Sequence, residues 1–116
     1  MRLKSMVLVV VLLAAASAAH ADPLTIDLPG AAERQTVAYI CGDGTKATAE
    51  YINAGSNALA IVTLDGKTLL MANVLSGSGA RYAGQQYVWW TKGSFADFYD
   101  LTKGENAPPE FSCEAG

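Results

Sequence analysis

Two pairs of residues in this chain have side chains of the types that do chemistry on a substrate. Ser78 and Lys92 could form a serine–lysine dyad, in which the amine takes the hydroxyl proton. That role needs a desolvated lysine, and nothing in the sequence buries Lys92. Asp97 and Asp100 could pair as glycosidase carboxylates, but an odd separation on a strand sends them to opposite faces. His20 is the only histidine and lies in the N-terminal leader, so the rest of the chain has no imidazole for general-base work or metal binding. No zinc-ligand cluster, phosphate-binding glycine motif or dinucleotide fingerprint occurs. The residues therefore predict a protein that is not an enzyme and carries neither metal nor cofactor.

The same region reads better as a binding surface. Gly77 and Gly79 flank Ser78, so the backbone can take conformations closed to other residues, approach another molecule closely and present Ser78 at a loop tip. Tyr82 and Tyr87 bracket a turn at Ala83-Gly84-Gln85-Gln86, and the following segment runs through Trp89 and Thr91 to Lys92-Gly93. Lys92 then ends a strand at its rim. Trp89 and Trp90 are adjacent and point to opposite faces, so one belongs to the core and the other is exposed or loop-covered; an exposed tryptophan would anchor an interface. Arg81 reads as a solvated position.

The elements that must position these residues are strands. From Leu24 onward, short runs of β-branched, aromatic and aliphatic residues alternate with Gly, Asn and Asp, and helical periodicity is absent. The predicted strands are Leu24 to Leu28, Thr36 to Cys41, Lys46 to Asn53, Ala58 to Leu64, Thr68 to Val74, Ala80 to Ala83, Tyr87 to Thr91 and Ser94 to Leu101, with an extended piece at Phe111 to Cys113. Asp43-Gly44 and Asp65-Gly66 predict two-residue type I′ hairpins. The class is all-β: a small antiparallel β-barrel of about eight strands, since closure is the fullest way to hide the edges of so many short strands. The stretch Gly104 to Pro109 is a loop that carries the chain back toward Cys41.

Arg2 and Lys4, an apolar run from Met6 through Ala16 and the small-x-small triplet Ala19-His20-Ala21 form a secretory signal peptide over residues 1–21. Cleavage after Ala21 would leave residues 22–116 as one domain in the periplasm. No cysteine stands at the cleavage point to take a lipid, so no stable membrane anchor is expected. Cys41 and Cys113 are the only cysteines; both lie in the exported part, which predicts one structural disulfide. Residues 22–116 carry six basic and eleven acidic side chains, a formal charge of −5. That balance argues against nucleic acid or anionic lipid as partner and suits a basic protein.

Ser78-Gly79-Ala80-Arg81-Tyr82 and Tyr87-Val88-Trp89-Trp90-Thr91-Lys92-Gly93 match, without substitution, the motifs S-G-x-x-Y and Y-x-x-x-T-K-G. The chain thereby resembles the periplasmic and membrane-bound inhibitors of c-type lysozyme. The likeness continues through Tyr39-Ile40-Cys41 and Ala49-Glu50-Tyr51-Ile52-Asn53 to Cys113, and the missing lipid-attachment cysteine favours the soluble periplasmic branch. The resemblance implies an antiparallel β-barrel, c-type lysozyme as the partner, and entry of Ser78 and Lys92 into the lysozyme cleft. It also places Gly79, Tyr82, Tyr87, Thr91 and Gly93 in the lysozyme-binding set, with Tyr82 and Thr91 in supporting roles. A homodimer with two inhibitory faces is compatible with these residues. The competing readings are a barrel that binds a small ligand, such as a cell-wall saccharide, through Trp89 or Trp90, and an envelope scaffold whose motif glycines only shape turns.

Overall fold

The computed structural model describes residues 8–11 and 22–116. The predicted signal peptide, apart from Leu8–Val11, and its cleavage point lie outside the described residues. Eight strands follow one another around a closed barrel: β1 (Ala32–Cys41), β2 (Lys46–Ala54), β3 (Asn57–Leu64), β4 (Lys67–Val74), β5 (Ala80–Gly84), β6 (Tyr87–Lys92), β7 (Phe95–Asp100) and β8 (Phe111–Ala115). Each pairs antiparallel with the next, and β8 closes on β1 through Tyr39↔Ala115, Ile40↔Glu114 and Cys41↔Cys113. The two cysteines are thus cross-strand partners at the seam, and they form the predicted disulfide across a sequence separation of 72.

Period-2 alternation decides what fills the barrel. Tyr39, Cys41, Ala47, Ala49, Ala60, Val62, Leu64, Met71, Tyr82, Trp89, Ala96, Phe98 and Cys113 form one buried cluster. Alanines on β2, β3 and β7 make room for the large rings, as a small barrel interior requires. Trp89, fully buried, meets Tyr39 edge-on at 5.2 Å between ring centroids, and its Nε1 donates to the Tyr51 hydroxyl at 2.9 Å. The Tyr51 and Tyr39 hydroxyls are 2.7 Å apart. The polar tips of Trp89, Tyr51 and Tyr39 therefore all have partners, which offsets the cost of burying them. Burial pushes the Tyr51 phenol well above the ordinary range and raises that of Tyr82.

The turns are where sequence and structure differ in detail. At Asp65-Gly66 both residues have positive φ, 51° and 74°, as a type I′ hairpin demands. At Asp43-Gly44 only the glycine does. Here Asp43 Oδ1 accepts from Thr45 N at 2.9 Å while Cys41 N donates to Thr45 O, so a longer loop replaces the expected two-residue turn. The Thr45 N–H also holds the exposed Asp43 carboxyl below its usual range. Strand β5 runs one residue further than expected, leaving a two-residue turn at Gln85-Gln86 with Gln85 at φ 51°.

Leu24 to Leu28 is not a strand. It is irregular chain lying against the outer wall, where Leu24, Ile26 and Leu28 share a groove with Ile52, Leu59, Ile61 and Leu70. Its alternation is real, but Pro23 and Pro29 bracket the segment, and its apolar side chains lie in the outer-wall groove and not in a ladder. Conversely, β1 starts at Ala32, four residues before the expected Thr36, because the polar stretch Glu33-Arg34-Gln35 pairs with Asn53, Ile52 and Tyr51 of β2. Leu101 ends in a 3₁₀ turn, Leu101–Lys103, and not in β7.

Candidate functional site

Hairpin loops of an up-and-down barrel alternate between its two ends. The β2–β3, β4–β5 and β6–β7 loops share one end with Ser78 and Lys92; the Asp43, Asp65 and Gln85 turns and the 101–110 loop share the other. The topology therefore brings together two residues 14 positions apart in the chain.

Ser78 lies in the β4–β5 connection, residues 75–79, and is exposed. The loop is held by its backbone. Ser76 Oγ donates to Gly79 O at 3.2 Å, Trp90 Nε1 donates to Ser78 O at 2.9 Å, and Thr91 Oγ1 donates to Ala80 O at 3.3 Å. Gly79 has φ 64°, and a Cβ there would stand 2.1 Å from the Thr91 carbonyl oxygen. The close approach expected of this glycine thus happens within the chain: it lets the Ser78 loop lie on the end of β6. Among the described residues the Ser78 hydroxyl has no hydrogen-bond partner.

Lys92 ends β6 and is exposed, and Gly93, at φ 57°, makes the turn into β7. None of the three ion pairs among the described residues includes it. Its ammonium lies 4.8 Å from the centre of the Trp90 ring, with the Arg81 guanidinium carbon 5.7 Å from the same centre. Arg81 is half-buried against that ring, and not the freely solvated side chain expected. Trp90 is the outward member of the tryptophan pair and Trp89 the core member, which settles their alternation.

The remaining motif residues separate. Thr91 and Gly93 border a dish at the barrel mouth, floored by Tyr39, Tyr51 and Tyr82. Tyr82 is 8% exposed and packs on Tyr51 at 5.6 Å, so it supports the rim from inside. Tyr87 stacks on Phe98 at 5.1 Å at the other end of β6, about 16 Å along the strand from Lys92. Asp97 and Asp100 do not converge: Asp97 pairs with Trp90 on the outer wall, while Asp100 caps the 3₁₀ turn by accepting from Thr102 Oγ1 and N, which lowers its pKa. Two apolar side chains at the rim escape sequence reasoning. Leu75, 97% exposed, starts the Ser78 loop, and Phe95, 58% exposed, is the cross-strand partner of Lys92. The signal for Leu75 was an apolar residue directly before Ser-Gly-Ser-Gly, where a loop has no core to bury it in.

Fold and rim together define a small closed barrel whose interior is filled by side chains and whose rim presents an unpaired hydroxyl and an unpaired ammonium beside exposed apolar side chains, the layout of a protein-binding module. Comparison with known proteins agrees. A family model described as membrane-bound lysozyme-inhibitor of c-type lysozyme matches residues 39–107. A Pseudomonas aeruginosa protein named membrane-bound lysozyme inhibitor of C-type lysozyme is 46% identical over 90 residues, covering 75% of this chain and 71% of its own. A Cupriavidus necator protein of the same name is 40% identical over 105 residues, covering 89% and 84%. The crystal structure of Pseudomonas aeruginosa MliC in complex with hen egg white lysozyme matches with a TM-score of 0.68 at 37% identity, covering 84% of this chain and 98% of that one. The periplasmic lysozyme inhibitor of C-type lysozyme from Salmonella typhimurium shares the fold, with a TM-score of 0.60 at 24% identity over 72% of this chain and 99% of its own. This chain belongs to the family of membrane-bound lysozyme inhibitors of c-type lysozyme, a family of inhibitors and not of enzymes.

Proposed function

We propose that this protein inhibits c-type lysozyme in the periplasm by placing Ser78 and Lys92 in the catalytic cleft. The observation that carries the reading is the pair of unengaged polar groups on one rigid rim: a hydroxyl without a partner and an ammonium without a counter-ion among the described residues. A c-type lysozyme cleft holds two carboxyl groups, one of them ionised. Lys92 pairs with the ionised one in a partly dehydrated space, where the attraction exceeds that of an exposed pair, and Ser78 donates to a carboxylate oxygen. Leu75 and Phe95 supply apolar area beside the polar contacts, and the acidic balance of residues 22–116 draws in a basic enzyme at low salt. The biological consequence is protection of the bacterial wall against host lysozyme. The filled interior and the burial of Trp89 weigh against a saccharide carrier.

Lysis of a peptidoglycan suspension by a c-type lysozyme, measured with increasing amounts of the oxidised protein, tests this directly. Saturable inhibition near a stoichiometric ratio is expected. Undiminished lysis at a large excess would refute it.

A further inference from the structure

Ser78 and Lys92 come from different elements, a loop and a strand end: Ser78 lies outside every ladder, and Lys92 has a four-carbon stem with many rotamers to choose among. One side chain touches both. Trp90 Nε1 donates to the Ser78 carbonyl at 2.9 Å, and the Lys92 ammonium stands 4.8 Å from the same ring's centre, within the range of a cation–π contact. We propose that Trp90 is a positioning residue that sets the Ser78 loop and the Lys92 ammonium relative to each other before lysozyme arrives. The proposal rests on the cleft-insertion reading given above.

The chemistry of the two contacts suits that task. A carboxylate beside Lys92 would neutralise the charge that the lysozyme carboxylate has to meet; an indole ring attracts the ammonium without neutralising it or occupying its N–H donors. The indole N–H takes the Ser78 carbonyl and leaves the Ser78 hydroxyl unengaged. Trp90 is itself fixed: its β6 ladder neighbours are Arg81 on β5 and Asp97 on β7, the Arg81 guanidinium lies on its ring, and Tyr99, Leu101 and Asn106 wall the groove beside it. Ordering a long side chain in advance reduces the cost of binding. Trp90 therefore acts through Lys92 and Ser78, and not through the partner.

The test combines inhibition constants with a spectroscopic readout in the free protein. Ring current should shift the Lys92 ε-methylene proton resonance upfield in the wild type. The shift should persist in Trp90→Phe and vanish in Trp90→Leu; general destabilisation would not produce this pattern. Trp90→Leu should weaken inhibition roughly tenfold, and Trp90→Phe, which keeps the ring and loses the N–H, should recover part of it. In a Lys92→Ala background the added cost of Trp90→Leu should fall to about threefold or less, because the contact it removes is already gone. An unshifted Lys92 resonance in the wild type, or an undiminished cost of Trp90→Leu in the Lys92→Ala background, would overturn the positioning role while leaving cleft insertion standing. Full inhibition by Lys92→Ala would defeat the cleft reading itself, and the proposal with it. If Trp90→Leu does not fold, the wild-type resonance and the Trp90→Phe constant still decide the matter.

Discussion

The two ends of the barrel differ in how many of their polar groups are paired within the chain. At the end that carries the Asp43, Asp65 and Gln85 turns, Asp43 accepts from Thr45, Asp100 caps the turn with Thr102, and Lys103 pairs with Glu110 at 2.8 Å, which raises the lysine pKa; Lys46 is the exception, in none of the ion pairs among the described residues. Lys67 is within 3.9 Å of Asp65. At the other end, Ser78 and Lys92 have no such partners among the described residues, and two large apolar side chains, Leu75 and Phe95, face solvent. A charged group satisfied within its own chain has little left to offer; an unsatisfied one on a held loop is an unfilled half of an interface. One end shapes the protein, and the other is kept available.

That division can be broken experimentally, most severely at the disulfide. Replacing both cysteines, Cys41→Ser with Cys113→Ser, should lower stability by about 4 kcal/mol on the chain-entropy account, measured by urea unfolding. The folded fraction should still inhibit lysozyme with unchanged affinity. A loss of affinity in folded protein would erase the distinction between the ends.

Lys92→Ala should do the reverse. Removing the cation from a desolvated contact should cost about 3 kcal/mol of binding, roughly a hundredfold in Kd, with the melting temperature unchanged. Titration calorimetry and a thermal scan on the same sample would show both. Ser78→Ala comes next, at about 1 kcal/mol for a lost hydrogen bond, again without a stability change, since the loop is held through its carbonyl and not its hydroxyl. Lys67→Ala completes the series. It removes a cation from the opposite end whose long, exposed ion pair is worth little, so inhibition and melting temperature should both stay at wild-type values; a strengthened inhibitor would mean that net charge, and not the rim, governs binding.

Much of this was legible in the chain because its local signals agree with one another. Alternation in Val37-Tyr39-Cys41 and in Ala49-Tyr51, glycines at turns and a single pair of cysteines each point to antiparallel strands closed by one bridge. The motif pair around Ser78 and Lys92 marked the rim before any coordinates did. Illegible were the features that depend on what lies opposite. Leu24 to Leu28 has the pattern of a strand but lies between two prolines over the outer wall and joins no ladder. Asp43-Gly44 and Asp65-Gly66 are the same dipeptide, yet different flanking hydrogen bonds make different turns of them. Tyr82 and Tyr87 belong to the same motifs as Ser78 and Lys92, but one packs inside the barrel and the other lies at its far end.

By itself the sequence determined the class of fold, the antiparallel pairing of neighbouring strands and the residues worth testing, because strand alternation, turn chemistry and motif spacing are written within short windows. Tertiary structure alone decided which of two adjacent tryptophans faces inward, that the other touches both the Ser78 loop and Lys92, and that Leu75 and Phe95 stand beside them. Those facts follow from barrel closure, which sets the register between strands and brings distant segments to one rim, and no local window contains it.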